Sequence, residues 1–361
     1  MLKLIHGADF HLDSPFSGLT PEQAALRRSE QRELLDRLAQ TARDKGADLV
    51  LLSGDLLDSE QVYRETAQAL ARALGSIPCP VFIAPGNHDF YSDRSVYATL
   101  DWPDNVHIFR SGEMEAVDLP DLNCTVYGRA FTGGHQTQSP LAHFRADWET
   151  RRLQIMCLHG DLAPQSSYGP ISPEEIAASG LDYLALGHIH AGTGLRREGD
   201  TFWAYPGCPE GRGFDELGEK GVLYVEVEHG NVSAQFAPLA HRHYEILSVD
   251  VTGRAPLDAI RAALPTHTQE DVYRILLTGE GDAPDLPALE RALAGRFYAL
   301  TLRDHTRLPQ DLWARREEDT LTGLFLRSMW AKCQADPQNQ TLQLAARFGL
   351  AALERGEDPA L

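Results

Sequence analysis

The feature that most constrains this chain is a set of five polar clusters, each placed directly after a short apolar run. The runs span residues 2–5, 49–52, 81–84, 153–158 and 183–186. The clusters that follow contain Asp9 and His11; Asp55; Asn87, His88 and Asp89; His159; and His188 and His190. If the runs are strands of an α/β sheet, the clusters lie outside the carboxyl ends of those strands, where such sheets bind ligands. The pattern therefore predicts one shared site, most simply a site for two metal ions.

The length and composition predict an ordinary globular protein with more than one domain. A chain of 361 residues exceeds what one hydrophobic core usually organises, so we expect a large domain and a smaller one. No apolar run is long enough to span a membrane, and the N-terminus lacks the pattern of a signal peptide. The five cysteines are scattered and form no CxxC pair, which favours a reduced, cytoplasmic protein without disulfides.

The formal net charge of −19 limits the classes of partner. Proteins that bind nucleic acid usually carry a basic face that neutralises phosphates, so this charge argues against strong, independent binding of DNA. Bound divalent cations would offset part of the charge, and a basic partner could supply more. An acidic surface that keeps the protein in solution is the simpler explanation.

The order of predicted elements indicates an α/β fold in the first 240 residues. Helices with capping-box starts at Thr20 and Ser172 alternate with strands, which favours a parallel-type sheet covered by helices. A further helix is predicted over residues 59–74. Short strands over residues 105–127 and 202–238 favour a mixed sheet, or two sheets packed face to face, over a simple doubly wound fold.

The pattern restarts near residue 240. Strands and helices alternate as β-α-β-α-β, and from Asp311 the chain reads as helical, with a break at residues 336–339. We therefore predict a large domain over residues 1–240, a small α+β domain over 241–307 and a C-terminal helical segment over 308–361.

Residue types and spacing in the clusters suit hard or borderline divalent cations, which prefer carboxylate, amide and imidazole ligands. Asp9 and His11 are two residues apart, so on an extended strand end they would project to the same side. Asp55 follows Gly54, where the missing Cβ allows a sharp turn. Taken singly, an Asp-x-His pair is usually a surface pair or a cap, and Gly-Asp is usually a turn. Five such clusters in order are not explained in this way.

The order Asp-x-His, Gly-Asp, Gly-Asn-His-Asp, His and Gly-His-x-His resembles the calcineurin-like metallophosphoesterase superfamily. The opening ADFHLDSPF at residues 8–16 and the segment YPGCPEGR at residues 205–212 resemble its SbcD-like DNA-repair exonuclease branch, in particular the YhaO type. The motifs cover about residues 1–240. The branch would have Asn at Cys208 and His at Gly213, and these two departures concern contacts with substrate.

The resemblance implies the ligands of each ion. One metal would be held by Asp9, His11, Asp55 and His190, and the other by Asp55, Asn87, His159 and His188. Two ions about 3.5–4 Å apart can clamp a phosphoryl group and activate water for attack on phosphorus. Manganese is the expected metal, although magnesium or iron would also suit these ligands.

Other residues receive roles from the same resemblance. His88 resembles the family's catalytic histidine, which contacts the phosphate and protonates the leaving oxygen. Asp89 would orient its imidazole, and Asp58 is either a second such carboxylate or a helix N-cap. Arg212, near the family's substrate loop, is a candidate phosphate contact.

The functional hypothesis that follows is a two-metal DNA exonuclease or endonuclease that works in DNA repair with an SMC-like ATPase. The resemblance implies that residues 1–240 are the catalytic domain and that residues 241–307 are a small α+β capping domain, which in the family helps to select DNA. In the family the C-terminal region, here residues 308–361, binds the coiled-coil root of the ATPase. A homodimer is also compatible with the resemblance. Two alternatives remain: a phosphodiesterase for small molecules or nucleotides, which the acidic charge favours, and a non-catalytic scaffold for the ATPase. The scaffold would predict damaged ligand positions, and none of the seven is damaged.

Overall fold

The computed structural model describes residues 1–281, 283–307 and 313–355. The chain divides into two compact units, Met1–His243 and Tyr244–Leu361. The C-terminal helices therefore belong to the same unit as the segment that precedes them. The division into three functional parts stays a prediction, and positions 308–312 and 356–361 of its last part lie outside the described residues.

Twelve strands build the first unit. In chain order they are β1 (Leu2–Gly7), β2 (Leu49–Leu52), β3 (Val81–Ile83), β4 (Val106–Ile108), β5 (Glu115–Leu119), β6 (Cys124–Gly128), β7 (Leu153–His159), β8 (Tyr183–Gly187), β9 (Arg196–Glu198), β10 (Thr201–Ala204), β11 (Gly221–Glu228) and β12 (Asn231–Pro238). Strand β9 was not predicted from the sequence. Its charged residues Arg196 and Arg197 are exposed, so it carries no apolar pattern.

These strands form two mixed sheets that pack face to face. The first has the order β12-β11-β1-β2-β3-β4 and the second the order β5-β6-β7-β8-β10-β9. Strands β1 to β4 are parallel to one another, as are β6, β7, β8 and β10. Between the sheets lies a core that includes Leu4, Leu51, Ile155 and Ala185, all fully buried. The predicted sandwich of two mixed sheets is confirmed.

Helices cover the outer faces of the two sheets. They are α1 (Pro21–Asp44), α2 (Arg64–Gly75), α3 (Val96–Thr99) and α4 (Pro173–Ala178), with 3₁₀ turns at Pro120–Leu122 and Trp148–Thr150. The capping boxes predicted at Thr20 and Ser172 are both present. Helix α2 begins at Arg64 instead of residue 59: residues 59–63 form a connection, and the N–H of Tyr63 donates to Asp13 at 2.8 Å.

The second unit begins with three parallel strands in the order β13 (Tyr244–Asp250), β14 (Val272–Thr278) and β15 (Ala299–Asp304), connected by α5 (Pro256–Ala263) and α6 (Leu286–Ala292). The predicted β-α-β-α-β order is therefore present. A 3₁₀ turn at Arg315–Glu317 precedes α7 (Leu321–Ala335) and α8 (Gln340–Arg355). These helices share a small core that includes Leu326 and Ala346, and the predicted break between them is confirmed. Asp311, the predicted helical start, lies outside the described residues.

The fold shows where the cysteines lie and whether any described helix is able to span a membrane. All five cysteines are buried and free. Within the described part of the chain, no helix combines the length and the apolar character needed to cross a bilayer.

Candidate metal centre

The five predicted clusters lie at the carboxyl ends of strands from both sheets. Strands β1, β2 and β3 of the first sheet and β7 and β8 of the second all end beside them. The two sheet edges meet closely: the Nδ1 of His159 lies 2.9 Å from the carbonyl oxygen of Ser53. At Gly187 any Cβ would collide with that same carbonyl oxygen. The site therefore exists only where the two sheets are joined.

Several candidate ligands adopt a backbone conformation that L-residues rarely use. The φ angles are 56° at Asp9, 43° at His11, 50° at Asp55 and 115° at His188. The expectation of an extended strand end at Asp9 and His11 is therefore wrong, since left-handed turns bring their side chains together. Such conformations cost about 1–3 kcal/mol each and cluster at functional sites. The surrounding fold has to stabilise them.

One glycine is required by the approach of these loops. Gly54 has a φ of +85°, and an added Cβ would lie 2.5 Å from the Nδ1 of His159 and 2.9 Å from the Cα of Gly86. The turn that presents Asp55 thus presses directly against another candidate ligand. Only glycine fits both the φ angle and the space.

The first half of the centre is formed by Asp9, His11 and His190, which offer ligand atoms that all lie within 4.8 Å of one another. The Nε2 atoms of His11 and His190 are only 3.1 Å apart. Each ring turns its other nitrogen toward a carboxylate: His11 Nδ1 lies 3.2 Å from Asp58, and His190 Nδ1 lies 2.6 Å from Glu216. With Nδ1 carrying the proton, two Nε2 lone pairs face each other. A cation between them would satisfy both.

The second half is formed by Asp55, His159 and His188, whose ligand atoms also lie within 4.8 Å of one another. The Oδ1 of Asn87 is 3.0 Å from His159 Nε2. Because His159 Nδ1 donates to the Ser53 carbonyl, its Nε2 is an acceptor that faces another acceptor. The Oδ2 of Asp55 lies 3.4 Å from this nitrogen and 3.8 Å from His11 Nε2, so Asp55 stands between the two halves.

The electrostatics of the site also fit two divalent cations. Burial lowers the pKa of His11, His159 and His188 from 6.5 to about 4, so these imidazoles are neutral ligands near pH 7. For Asp9, burial first and the charge of Asp55 second raise the pKa well above its usual 3.8. The buried carboxylates of Asp9 and Asp55 lie among neutral imidazole rings, so a nearby positive charge would stabilise them. Bound metal ions are often the largest local charges in such a site. The donor set therefore fits the metal pair that the sequence implies.

The comparison with known proteins decides the family. The family model for calcineurin-like phosphoesterases matches residues 2–192, which contain all seven candidate ligands. The chain belongs to this family. The predicted superfamily is thereby confirmed.

Individual relatives of this calcineurin-like phosphoesterase point to one branch. The chain is 30% identical over 275 residues to the "Uncharacterized metallophosphoesterase YhaO" of Bacillus subtilis, covering 72% of this chain and 65% of the relative. It is 28% identical to the "DNA double-strand break repair protein Mre11" of Aeropyrum pernix, covering 63% and 58%. It is 24% identical to the SbcD component of the nuclease SbcCD of Bacillus subtilis, covering 63% and 67%. The chain thus spans less than two thirds of the first two relatives, and all three support the SbcD-like branch.

In this phosphoesterase, His88 is the exposed member of the centre. Its Nδ1 lies 3.0 Å from the carbonyl oxygen of Asp58, and its ring meets that of His11 edge-on at 4.7 Å between centroids. A carbonyl oxygen can only accept a hydrogen bond, so Nδ1 carries the proton and Nε2 is the atom that can exchange one. The predicted role of His88 agrees with this exposure, and it stays a prediction.

The expected role of Asp89 needs a correction, because its buried carboxylate serves the backbone. It accepts hydrogen bonds from the N–H groups of Gly86, Asp55, Leu56 and Leu57 at 2.7–3.2 Å, and from the Tyr97 hydroxyl at 2.6 Å. The described partner of the His88 ring nitrogen is the Asp58 carbonyl instead. Asp89 therefore fixes the loops after β2 and β3, and acts on the ligands through their backbone.

Two further positions complete the surroundings. Arg212, predicted to contact phosphate, is 20% exposed and pairs with Asp58 at 3.1 Å and Glu216 at 2.9 Å. Glu216 was not predicted at all. Burial alone would raise its pKa, but hydrogen bonds from His190 and Arg212 lower it far below 4.5, so it is a carboxylate. An acidic residue four positions after Arg212 was the only sequence signal for this pair.

The first of the two departures from the branch pattern, Cys208, lies next to the centre. Cys208 is 1% exposed, and its backbone N–H donates to the carbonyl oxygen of His190 at 3.1 Å. Burial raises the pKa of its thiol to about 12, so it is not a nucleophile at neutral pH. The residue therefore supports the backbone of a candidate ligand.

Proposed function

We propose that this protein is a two-metal phosphodiesterase that cleaves DNA, in the manner of an SbcD-like nuclease. The observation that carries the proposal is the convergence of seven metal-type ligands from five strand ends of two sheets: six share two clusters, Asn87 lies 3.0 Å from His159, and His88 is exposed beside them. Asp9, His11, Asp55 and His190 would hold one ion, and Asp55, Asn87, His159 and His188 the other. Bound there, the ions would neutralise a phosphodiester and lower the pKa of water.

The side chains of the protein have separate tasks in this reaction. Asp55 lies between the two halves and can serve both through its two oxygens. His88 keeps a proton on Nδ1 against the Asp58 carbonyl, so its Nε2 would give a proton to the leaving oxygen. Asp89 keeps both loops in place. Arg212 would lend positive charge to the phosphate side of the site.

Manganese is the metal we propose, with magnesium and iron as alternatives. Three of the seven ligands are oxygen donors and four are imidazoles, a mixture that suits several first-row metals. Exchange of the metal after EDTA treatment, followed by activity with each ion in turn, would rank them.

DNA as substrate and an SMC-like ATPase as partner rest on the relatives named for double-strand break repair and for the SbcCD nuclease. The helix Leu321–Ala335 also leaves large apolar side chains in solvent, with Leu321 68% and Leu324 57% exposed. Such residues suit a groove for a partner's helices.

A second candidate is a phosphodiesterase for nucleotides or other small diesters. The net charge of −19 favours it, because a small diester needs no long basic track. Both candidates use the same metal centre, so they differ only in substrate.

The deciding experiment measures cleavage of two substrates by the Mn²⁺-loaded protein, linear DNA and, separately, bis(p-nitrophenyl) phosphate. Asp55→Ala should abolish both activities. His88→Ala should slow DNA cleavage by roughly 10²–10⁴-fold, the usual contribution of a general acid, and slow the chromogenic diester much less. The reason is that p-nitrophenolate leaves without needing a proton. The exposed His267, which lies in the second unit, provides the matched control His267→Ala.

Each outcome separates two hypotheses. Cleavage of the chromogenic diester alone, even with the ATPase present, would reject DNA and leave the small-diester function. Full activity in Asp55→Ala would reject the two-metal mechanism.

A further inference from the structure

The imidazoles of the metal centre differ in what supports their outer nitrogen. In the first half, His190 Nδ1 makes a 2.6 Å hydrogen bond with Glu216, and His11 Nδ1 lies 3.2 Å from Asp58 in an ion-pair contact that lacks hydrogen-bond geometry. His159, in the second half, faces the neutral carbonyl of Ser53 at 2.9 Å. The two halves are therefore not equivalent, although their ligand types are similar.

For His188, the other imidazole of the second half, the acidic neighbour lies farther away. Its Nε2 is 3.7 Å from the Oδ2 of Asp161, beyond hydrogen-bonding distance. Among the described contacts, the second half thus has no carboxylate as close as the two that support the first.

The supporting carboxylates are held in place by one guanidinium. Arg212 Nη1 lies 3.1 Å from Asp58 Oδ1, and Arg212 Nη2 lies 2.9 Å from Glu216 Oε1. The backbone N–H of Arg212 also donates to Glu216 Oε2 at 2.7 Å. A cation shared between two carboxylates reduces their repulsion, so both can stay ionised behind the histidines.

Burial makes the Glu216 contact effective. Glu216 is 5% exposed, and a carboxylate shielded from water acts more strongly on its neighbours than one in solvent. Its bond fixes the proton of His190 on Nδ1 and directs Nε2 toward Asp9 and His11. Carboxylates in this position orient metal-binding histidines and raise their basicity.

We propose that Glu216 is a positioning residue for His190, and that together with Asp58 it makes the Asp9–His11–His190 half the tighter of two metal positions. The second half, supported by a neutral carbonyl, exchanges its ion more readily. This inference rests on the metal centre of the proposed function and is independent of the substrate.

The test is a titration of the full-length, EDTA-treated protein with Mn²⁺. Calorimetry and electron paramagnetic resonance measure how many ions bind and how tightly. Two classes of site are expected in the wild type. Glu216→Ala should weaken the tighter class by roughly 10–100-fold, the usual effect of removing such a partner, and leave the weaker class within about threefold. Glu216→Gln keeps an oxygen that accepts from His190 but loses the charge, so it should fall between.

Reference variants assign the classes to residues. His190→Ala should remove the class that Glu216→Ala weakens, and His159→Ala should remove the other. The exposed Glu219, three residues beyond Glu216, provides the matched control Glu219→Gln, which should bind both ions as the wild type does.

The result that overturns the proposal is specific. An unchanged tighter class in Glu216→Ala, or an equal loss in both classes, would reject the positioning role. Should Glu216→Ala fail to fold, judged by circular dichroism in EDTA, Glu216→Gln decides the question. The titration contains no nucleic acid, so its outcome does not depend on whether the protein cleaves DNA. If the wild-type protein binds fewer than two ions, the metal centre of the proposed function is itself rejected.

Discussion

At the scale of single residues, the turn at Gly54 connects backbone conformation to the position of a ligand. The positive φ of Gly54 and the closeness of His159, which an added Cβ would approach to 2.5 Å, occur at the same residue. A side chain here would have to displace either the imidazole or the loop at Gly86. The positions of Asp55 and His159, candidate ligands on the two sheets, therefore depend on the absence of a side chain at Gly54.

Gly54→Ala should lower both stability and metal affinity. We expect a loss of about 1–3 kcal/mol in the free energy of unfolding from the strained φ. Mn²⁺ binding should weaken by at least about tenfold because His159 is displaced. Urea unfolding in EDTA and calorimetric titration with Mn²⁺ measure the two effects.

Gly18→Ala is the matched control, since an added Cβ at this exposed glycine meets nothing within 4 Å. It should leave both quantities unchanged. Wild-type Mn²⁺ affinity in Gly54→Ala would contradict this account of the turn.

At this scale the sequence indicates the candidate ligands but not the residues that hold them in place. The pattern located the polar clusters directly after apolar strands, and the family resemblance selected the seven candidate ligands from them. Glu216 follows a turn 26 positions after His190, and only the folded chain brings the two together. Asp89 was predicted to act on a side chain next to it, but tertiary structure directs it to backbone N–H groups of another loop.

At the scale of elements, His6 joins the two sheets beneath the metal centre. It lies on β1 and is fully buried. Its Nδ1 accepts from the Tyr183 hydroxyl on β8 at 2.8 Å, and its Nε2 lies 3.1 Å from the Leu186 carbonyl of that strand. A neutral imidazole satisfies both partners, and burial lowers the pKa of His6 to about 3.

This buried histidine predicts acid sensitivity. Below pH 6.5 the unfolded chain binds a proton at His6 and the folded chain does not until about pH 3, so stability falls as the pH falls between these values. From pH 7 to pH 5, the wild type should lose about 2 kcal/mol more free energy of unfolding than His6→Gln.

Urea unfolding of both proteins in EDTA at the two pH values measures this difference. The other buried histidines contribute equally to both proteins and cancel. If both proteins lose the same free energy of unfolding between pH 7 and pH 5, the neutral imidazole of His6 does not contribute to holding the two sheets together.

Local sequence signals predicted most elements, and tertiary effects account for the misses. The helix starts at Thr20 and Ser172 follow from capping boxes, which are local. Helix α2 starts later than predicted, where Asp13 accepts from the N–H of Tyr63 and from the Thr66 hydroxyl across 50 and 53 residues. Long-range contacts of this kind leave no periodic pattern in the sequence.

At the scale of the whole molecule, the charge of −19 determines how DNA could be held. A protein with this excess of acidic groups repels a polyanion at long range. Attraction would have to come from the metal ions at close range, and from the proposed ATPase partner. Binding should then involve few phosphates.

The affinity for DNA should therefore depend on bound metal and only weakly on salt. With His88→Ala, which limits cleavage, we expect weak binding of labelled duplex in EDTA and tighter binding with Mn²⁺. Between 50 and 200 mM salt the affinity should fall by less than the roughly 10³-fold seen when six or more phosphates are contacted.

Fluorescence anisotropy measures both effects, and adding Asp55→Ala should remove the gain from Mn²⁺. Tight binding in EDTA with a steep salt dependence would instead indicate a basic track and contradict this view.

The joining of two sheets at the metal centre also has a consequence for how the protein is made. Each half of the centre takes ligands from both sheets, and His11 and His190 are 179 residues apart in the chain. A growing chain therefore cannot hold either ion until β8 has been synthesised and packed. Ions that bind only the finished fold lower the population of open states that proteases attack. The supply of metal in the cell would thus govern how long each newly made molecule survives.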